Sequence, residues 1–393
     1  MKNIMAAAVL LVSAQAFPFE KIALVDSYDF ARDFDVETVT GNVQVLEHVM
    51  LTGCDTVLWR NCTGGMMRYA SDEEPCRRTE CPVEKLRVPE SRRTFGWLRL
   101  DRRDPDIFRV AMREAAARGL RKGVHWPFEE AHWAHFTLGQ WNIEHPQFWC
   151  VSRDGMPFAW RVSLSYPEVV EHKLRLTDEL VERGADVLFV DLVRNGGWTP
   201  AIEYVEPMKR AWAARHPGEP PPTYTDPRWT ALAMEVQEAY FRQVRARLDA
   251  SGRKVRLLLG IAYVGRPYES DYTVVQRGVD WRRLAAEGTL DGLVVMSVDR
   301  NVLRAKDPWE ATRRIYRDVV AHKGLCSVYF PVGAYNYSGV GIPGYAQKTG
   351  LARVDVAKRL LGLASTCGGD GIVMECVDYG NYPPDVRKAI REF

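Results

Sequence analysis

The chain has 393 residues, 46% of them apolar, enough to bury a large core in one barrel-sized domain. Its 53 basic and 51 acidic side chains are spread along the sequence and leave a formal charge of +2, so no basic footprint for nucleic acid or an anionic membrane is present. A neutral or mildly charged small partner fits such a surface better.

At the amino terminus, Met1-Lys2-Asn3, an apolar run over 4–12 and Ala14-Gln15-Ala16 read as a secretory signal, with Phe17 as the mature start. The run is shorter than the ~20 residues of a spanning helix, and no later segment approaches that length. The expectation is an exported protein with one domain over 17–393.

From residue 22 onward one order recurs eight times: a short apolar strand, an irregular stretch, an amphipathic helix and a glycine turn. Strands are predicted at 22–27, 56–60, 121–126, 187–192, 255–262, 292–297, 326–330 and 371–376. Each is a near-continuous apolar run, as parallel strands covered on both faces require. Helices are predicted at 106–118, 167–183, 231–250, 309–322 and 354–365, where apolar residues return every three or four positions. Gly53, Gly119, Gly184, Gly252, Gly288, Gly324 and Gly368-Gly369 follow helices and read as their stops.

Helix-to-strand turns are short, whereas the strand-to-helix stretches 61–105, 127–166, 193–230 and 331–352 are long. That asymmetry predicts a (β/α)8 barrel, whose long loops all leave the carboxyl ends of the strands, the face that carries catalysis in this architecture. The Pro-rich segment 217–222 is then part of a loop and not a linker. A doubly wound open sheet is the alternative, but Asp26-Ser27-Tyr28-Asp29 stands where its phosphate-binding glycines would be.

Polar residues at the strand ends define the expected mouth. Strand one ends in Asp26, Tyr28 and Asp29, strand two in Arg60 and Asn61, and strand three in His125 and Trp126. Strand four places Asp191 at the end of a run with no other polar side chain, followed by Arg194 and Asn195. Tyr263, then Ser297 and Asp299, then Tyr329, and finally Glu375, Asp378 and Tyr379 complete the circuit.

Carboxylates ringed by Trp and Tyr suit glycoside hydrolysis, where one acid protonates the leaving oxygen and a second carboxylate attacks carbon or activates water. Asp191 is the candidate principal carboxylate, with an ion pair to Arg194 or Arg60 as its structural alternative. Glu375 and Asp299 compete as its partner. Asp26, Tyr28, Arg60, Asn61, His125, Trp126, Arg194, Asn195 and Tyr263 are candidates for binding hydroxyls or orienting carboxylates. Trp126, Trp133, Trp141, Trp149 and Trp160 form either a sugar platform or a local core beneath the loop after strand three.

A carbohydrate substrate without cofactor or metal is therefore expected. Two alternatives remain: a non-catalytic carbohydrate-binding barrel, and a metal-dependent hydrolase drawing on His125, His132 and His135. Against the second, no HxH follows the first strand, and no G-x-S-x-G elbow marks serine chemistry. Among eight cysteines, the spacing of Cys62, Cys76 and Cys81 suits a disulfide after export, while Cys326, Cys367 and Cys376 read as core residues.

The stretch Ser165-Tyr166-Pro167-Glu168-Val169, leading to Asp186-Val187-Leu188-Phe189-Val190-Asp191-Leu192-Val193-Arg194, resembles the glycosyl-hydrolase-like barrels labelled family-10-like. Leu290-Asp291-Gly292-Leu293 and Gly369-Asp370-Gly371-Ile372-Val373-Met374-Glu375 are similar to late strands of the same group. The resemblance implies an exported carbohydrate-active barrel with Asp191 in its site. Family-10 xylanases carry catalytic glutamates in Asn-Glu contexts on strands four and seven, and neither occurs here. An aspartate on strand four with an acid on strand six is closer to the α-galactosidase clan, which would favour Asp299.

Overall fold

The computed structural model describes residues 19–26, 38–63, 65–74, 106–128, 138–193, 199–263, 278–298, 300–333, 341–375 and 382–393. Eight parallel strands close a barrel: β1 Glu20–Val25, β2 Thr56–Arg60, β3 Arg121–Pro127, β4 Val187–Asp191, β5 Arg256–Tyr263, β6 Gly292–Val298, β7 Ser327–Pro331 and β8 Gly371–Glu375. Each pairs with its neighbours in sequence, and β8 returns to β1 with Gly371 opposite Glu20.

The principal outer helices are α1 Val45–Leu51, α2 Ile107–Ala117, α3 Pro167–Glu182, α4 Pro227–Ala250, α5 Trp281–Ala286, α6 Pro308–Ala321, α7 Arg353–Thr366 and α8 Pro384–Glu392. Their starts follow local chemistry. Asp106 accepts from the backbone N–H groups of Phe108 and Arg109 at 3.0 and 3.1 Å, and Asp307 caps α6 in the same way. Asp226 caps α4 through Arg228 N at 2.8 Å, with Pro227 in the first turn. That cap starts α4 four residues before the predicted 231, because proline and aspartate favour initiation although they break the apolar period. The predicted glycine stops hold: Gly53, Gly119, Gly184, Gly252, Gly288, Gly324 and Gly368 all take positive φ, reaching 105° at Gly184.

Two apolar layers follow from the alternation of each strand. One face of each strand supplies Ile22, Leu24, Leu58, Val187, Phe189, Leu258, Val294, Met296 and Val373 to a core inside the barrel. The other face packs against the helices in a much larger shell that includes Val25, Trp59, Trp126, Val190, Leu176 and Leu180. Truncating a fully buried leucine such as Leu176 to alanine costs about 2–5 kcal/mol in such a shell.

The barrel floor is polar. Glu20 accepts from Thr56 Oγ1 at 2.5 Å and from the Tyr329 hydroxyl at 2.6 Å, and it pairs with Arg256 at 3.0 Å and with Arg121. Tyr329 was expected at the mouth; instead its hydroxyl lies at the opposite end, because β7 starts low and Tyr329 pairs with Gly371, level with Glu20. Burial pushes the Glu20 carboxyl up, but Arg256, Thr56, Tyr329 and Arg121 together outweigh it and hold it below the usual value.

Candidate active site

Strand parity decides which end residues enter the lumen. In β4, Val187 and Phe189 face inward, so Asp191 does too; in β1 and β2 the same count gives Asp26 above Leu24 and Arg60 above Leu58. In β3 it gives His125, and in β8 it gives Glu375 above Val373. Five of the residues singled out in the sequence therefore share the lumen at the carboxyl end: Asp26, Arg60, His125, Asp191 and Glu375.

Register orders them. Arg60 is paired with His125, His125 with Phe189, and Asp191 with Pro127 and Gly260, so Asp191 stands one lumen step above His125. Glu375 is paired with Leu24, one lumen step below Asp26. In the closed order, β4 and β8 lie on opposite sides, so Asp191 and Glu375 approach the lumen from facing walls.

Asp191 has no solvent-accessible surface, and both of its oxygens are engaged. Oδ1 accepts the Val193 N–H at 2.8 Å, and Oδ2 is 3.0 Å from His125 Nε2. The Asp191 carbonyl accepts the Phe128 N–H at 3.1 Å, fixing the strand end. His125 is equally buried and stacks on Phe189 with ring centroids 5.3 Å apart. Room for that stack comes from Gly260: a Cβ there would stand 2.9 Å from Phe189 Cζ and 3.1 Å from Asp191 Cα. Arg60 donates to Asp26 and, through Nε, to the Cys62 carbonyl at 2.7 Å. Of the two ion pairs considered for Asp191, Arg60 pairs with Asp26 instead, and Arg194 lies outside the described residues; Asp191 contacts His125.

Among the described acids at the mouth, Glu375 is more exposed, at 6%, than Asp26 at 2% and Asp191 at 0%. Its backbone carbonyl accepts from the buried Tyr382 hydroxyl at 3.0 Å, and the same hydroxyl lies 3.4 Å from the Val332 carbonyl, tying the ends of β7 and β8. Tyr382, Phe189 and Gly260 were not recognised in the sequence. Gly260 carried a signal, because glycine inside a strand marks a close approach.

Other candidates are placed elsewhere. Trp126 follows His125 on the strand and so faces outward, packing edge-on to Phe128 at 5.6 Å between barrel and helices. Asn61 is buried beyond β2, where its N–H donates to the His125 carbonyl at 3.1 Å. Trp141 is sandwiched between His145 and His172, each 4.3 Å away, and Trp149 donates to the Asn142 carbonyl at 2.7 Å, so both belong to a local core under the loop. Tyr28, Trp133, Arg194, Asn195, Asp299, Asp378 and Tyr379 lie outside the described residues, as does the Tyr263 side chain. Cys76, Cys81 and Cys376 also lie outside them, while Cys326 and Cys367 are buried as expected. Among the described residues no group of three His, Cys, Asp or Glu is placed to hold a metal ion, and no helix is long and apolar enough to cross a membrane.

The fold has solved counterparts. The glycoside hydrolase domain of PgaB (BpsB) from Bordetella bronchiseptica matches at 15% identity with a TM-score of 0.57, covering 95% of this chain and 98% of that one. A β-galactosidase from the psychrophilic Marinomonas ef1 matches at 11% identity with a TM-score of 0.52, over 91% of this chain and 53% of that one. No protein-family model matches the chain, and no curated protein matches it. Similarity at these identities is similarity of fold.

Proposed function

We propose that the protein is a glycoside hydrolase acting on an oligo- or polysaccharide, with Glu375 and Asp191 as its working carboxylates. The observation that supports this reading is that Asp191 and Glu375 end facing strands of the closed barrel, at inward positions by strand parity, at the end where this architecture keeps its chemistry. Glu375, the more exposed acid, meets the glycosidic oxygen. Asp191, nearer the mouth, is held in place from below by His125 at 3.0 Å. Asp26 holds Arg60 at the same rim, where a guanidinium can bind hydroxyls. Asp299 remains the alternative acid partner. The two solved counterparts, one described as a glycoside hydrolase domain and one as a β-galactosidase, support the class and leave the sugar open. Likeness to the family-10-like barrels rests on the sequence segments alone.

A second reading has its own observation. A nucleophile must be within reach of the anomeric carbon, and Asp191 has no exposed surface and a hydrogen-bond partner on each carboxylate oxygen. That favours a carbohydrate-binding barrel without turnover. Incubating the purified protein with a panel of glycans and measuring released reducing ends separates the two. Release from at least one glycan is expected, whereas binding with no release across the panel would leave the binding module. Export is part of the proposal and rests on residues 1–16; amino-terminal sequencing of the secreted protein is expected to begin at Phe17.

A further inference from the structure

Outside the lumen, the rim carries a buried acidic group that the proposed chemistry does not use. The segment after β2 is gripped by α3: Glu179 accepts from Tyr69 Oη at 3.1 Å, Ser71 Oγ at 2.6 Å, Asp72 N at 2.8 Å and Glu73 N at 3.2 Å. This anchor delivers Glu74, 4% exposed, to the segment after β3. There Glu74 Oε1 accepts the Trp141 N–H at 2.9 Å, at the start of the short helix Gln140–Glu144. Glu74 Oε2 lies 3.4 Å from Nε2 of His172, a fully buried residue of α3 whose ring is parallel to Trp141 within 6°.

Closeness at this junction is built in. A Cβ on Gly139 would stand 2.8 Å from Glu74 Oε1, and one on Gly65 would stand 2.4 Å from Gly139 N. Glycine at both positions lets the two segments meet through their backbones. Both leave the strands that carry Arg60 and His125, so the junction fixes one side of the rim.

We infer that Glu74 is a proton-coupled latch, holding the 138–148 segment on the 65–74 segment more firmly when its carboxyl is protonated than when it is charged. The charged groups facing it come from three elements: Lys173, His172 and, one step away, Arg175 on α3; Glu144 and His145 on the short helix; and Glu73 beside it. Burial pushes the Glu74 carboxyl up to about 7, against the opposing pull of the Trp141 and Gln140 N–H groups and Lys173. Burial and Lys173 push His172 down to about 3, so it faces Glu74 as a neutral ring. A protonated Glu74 can donate from Oε2 to His172 while Oε1 keeps the Trp141 N–H. A carboxylate in the same place is only partly compensated by the Trp141 and Gln140 N–H groups and Lys173, and its charge is held out of water.

Once undocked, Glu74 returns to the ordinary value of 4.5, so docking is fully stabilised below that pH and weakens as pH rises towards 7. Hydrogen exchange of the 138–148 amides, corrected for the intrinsic pH dependence of exchange, reads the opening equilibrium directly. Opening is expected to rise about a hundredfold between pH 4.5 and 7 and to level off above it. Glu74→Gln keeps both contacts without a titrating proton, and its profile should be flat; Glu73→Gln should keep the wild-type slope. A flat wild-type profile, or the same slope in Glu74→Gln, overturns the latch. The wild-type measurement decides even if Glu74→Gln fails to fold.

Discussion

The two ends of the barrel lumen bring the same residue types together in different arrangements. At the floor, Glu20 is shared by Arg256, Arg121, Thr56 and Tyr329, so the single carboxylate meets two guanidinium groups and two hydroxyls. At the mouth, the described lumen residues include Asp26, Asp191 and Glu375 with Arg60 and His125. A carboxylate shared by four donors across the floor is a structural clamp, whereas the proposed function gives the acids on facing walls at the mouth an acid–base role. Breaking the floor should therefore cost stability, and breaking the mouth should cost turnover.

The largest expected effect is at the mouth. Asp191→Asn keeps an acceptor for the Val193 N–H but removes the charge beside His125, and should lower turnover by roughly 10²–10⁴-fold with little change in melting temperature. Steady-state rates measured beside thermal melts check this; a parallel loss of stability would move Asp191 into the same class as Glu20. At the floor, Glu20→Ala leaves Arg256 and the Tyr329 hydroxyl without their carboxylate and should cost about 2–4 kcal/mol, discounted because Arg256 is partly exposed. Urea unfolding gives that number, and activity per folded molecule should be unchanged.

A smaller effect is expected from Tyr329→Phe, which removes one hydroxyl from the same network and should cost about 1–2 kcal/mol. The floor also predicts a pH dependence. Glu20 is held below its ordinary value of 4.5, so its contribution is present above that pH and is lost as pH falls through the lowered value. Urea midpoints should drop on the acid side in the wild type and drop less in Glu20→Gln. Equal acid limbs in the two proteins would show that Glu20 is not the group responsible.

The fold was legible because each of its units carries a local signal. Runs such as Val187 to Val190 have no polar residue that could face water, and glycines such as Gly184 end helices at a conformation that other residues avoid. Strand ends were less legible, because facing inward or outward depends on parity and register. His125 and Trp126 are adjacent, so one strand cannot send both into the lumen; alternation alone could have excluded one. Tyr329 needed register as well, since only the pairing of β7 with β8 and β1 shows that it belongs to the floor. The Asp191–His125 contact joins residues 66 positions apart and has no local signature.

The most direct test of the mouth as a working site is Glu375→Gln assayed side by side for glycan binding and glycan cleavage. Unchanged affinity with cleavage lowered by at least about a hundredfold is the predicted result. Cleavage at the wild-type rate, with Glu375 replaced and the fold intact, would contradict it.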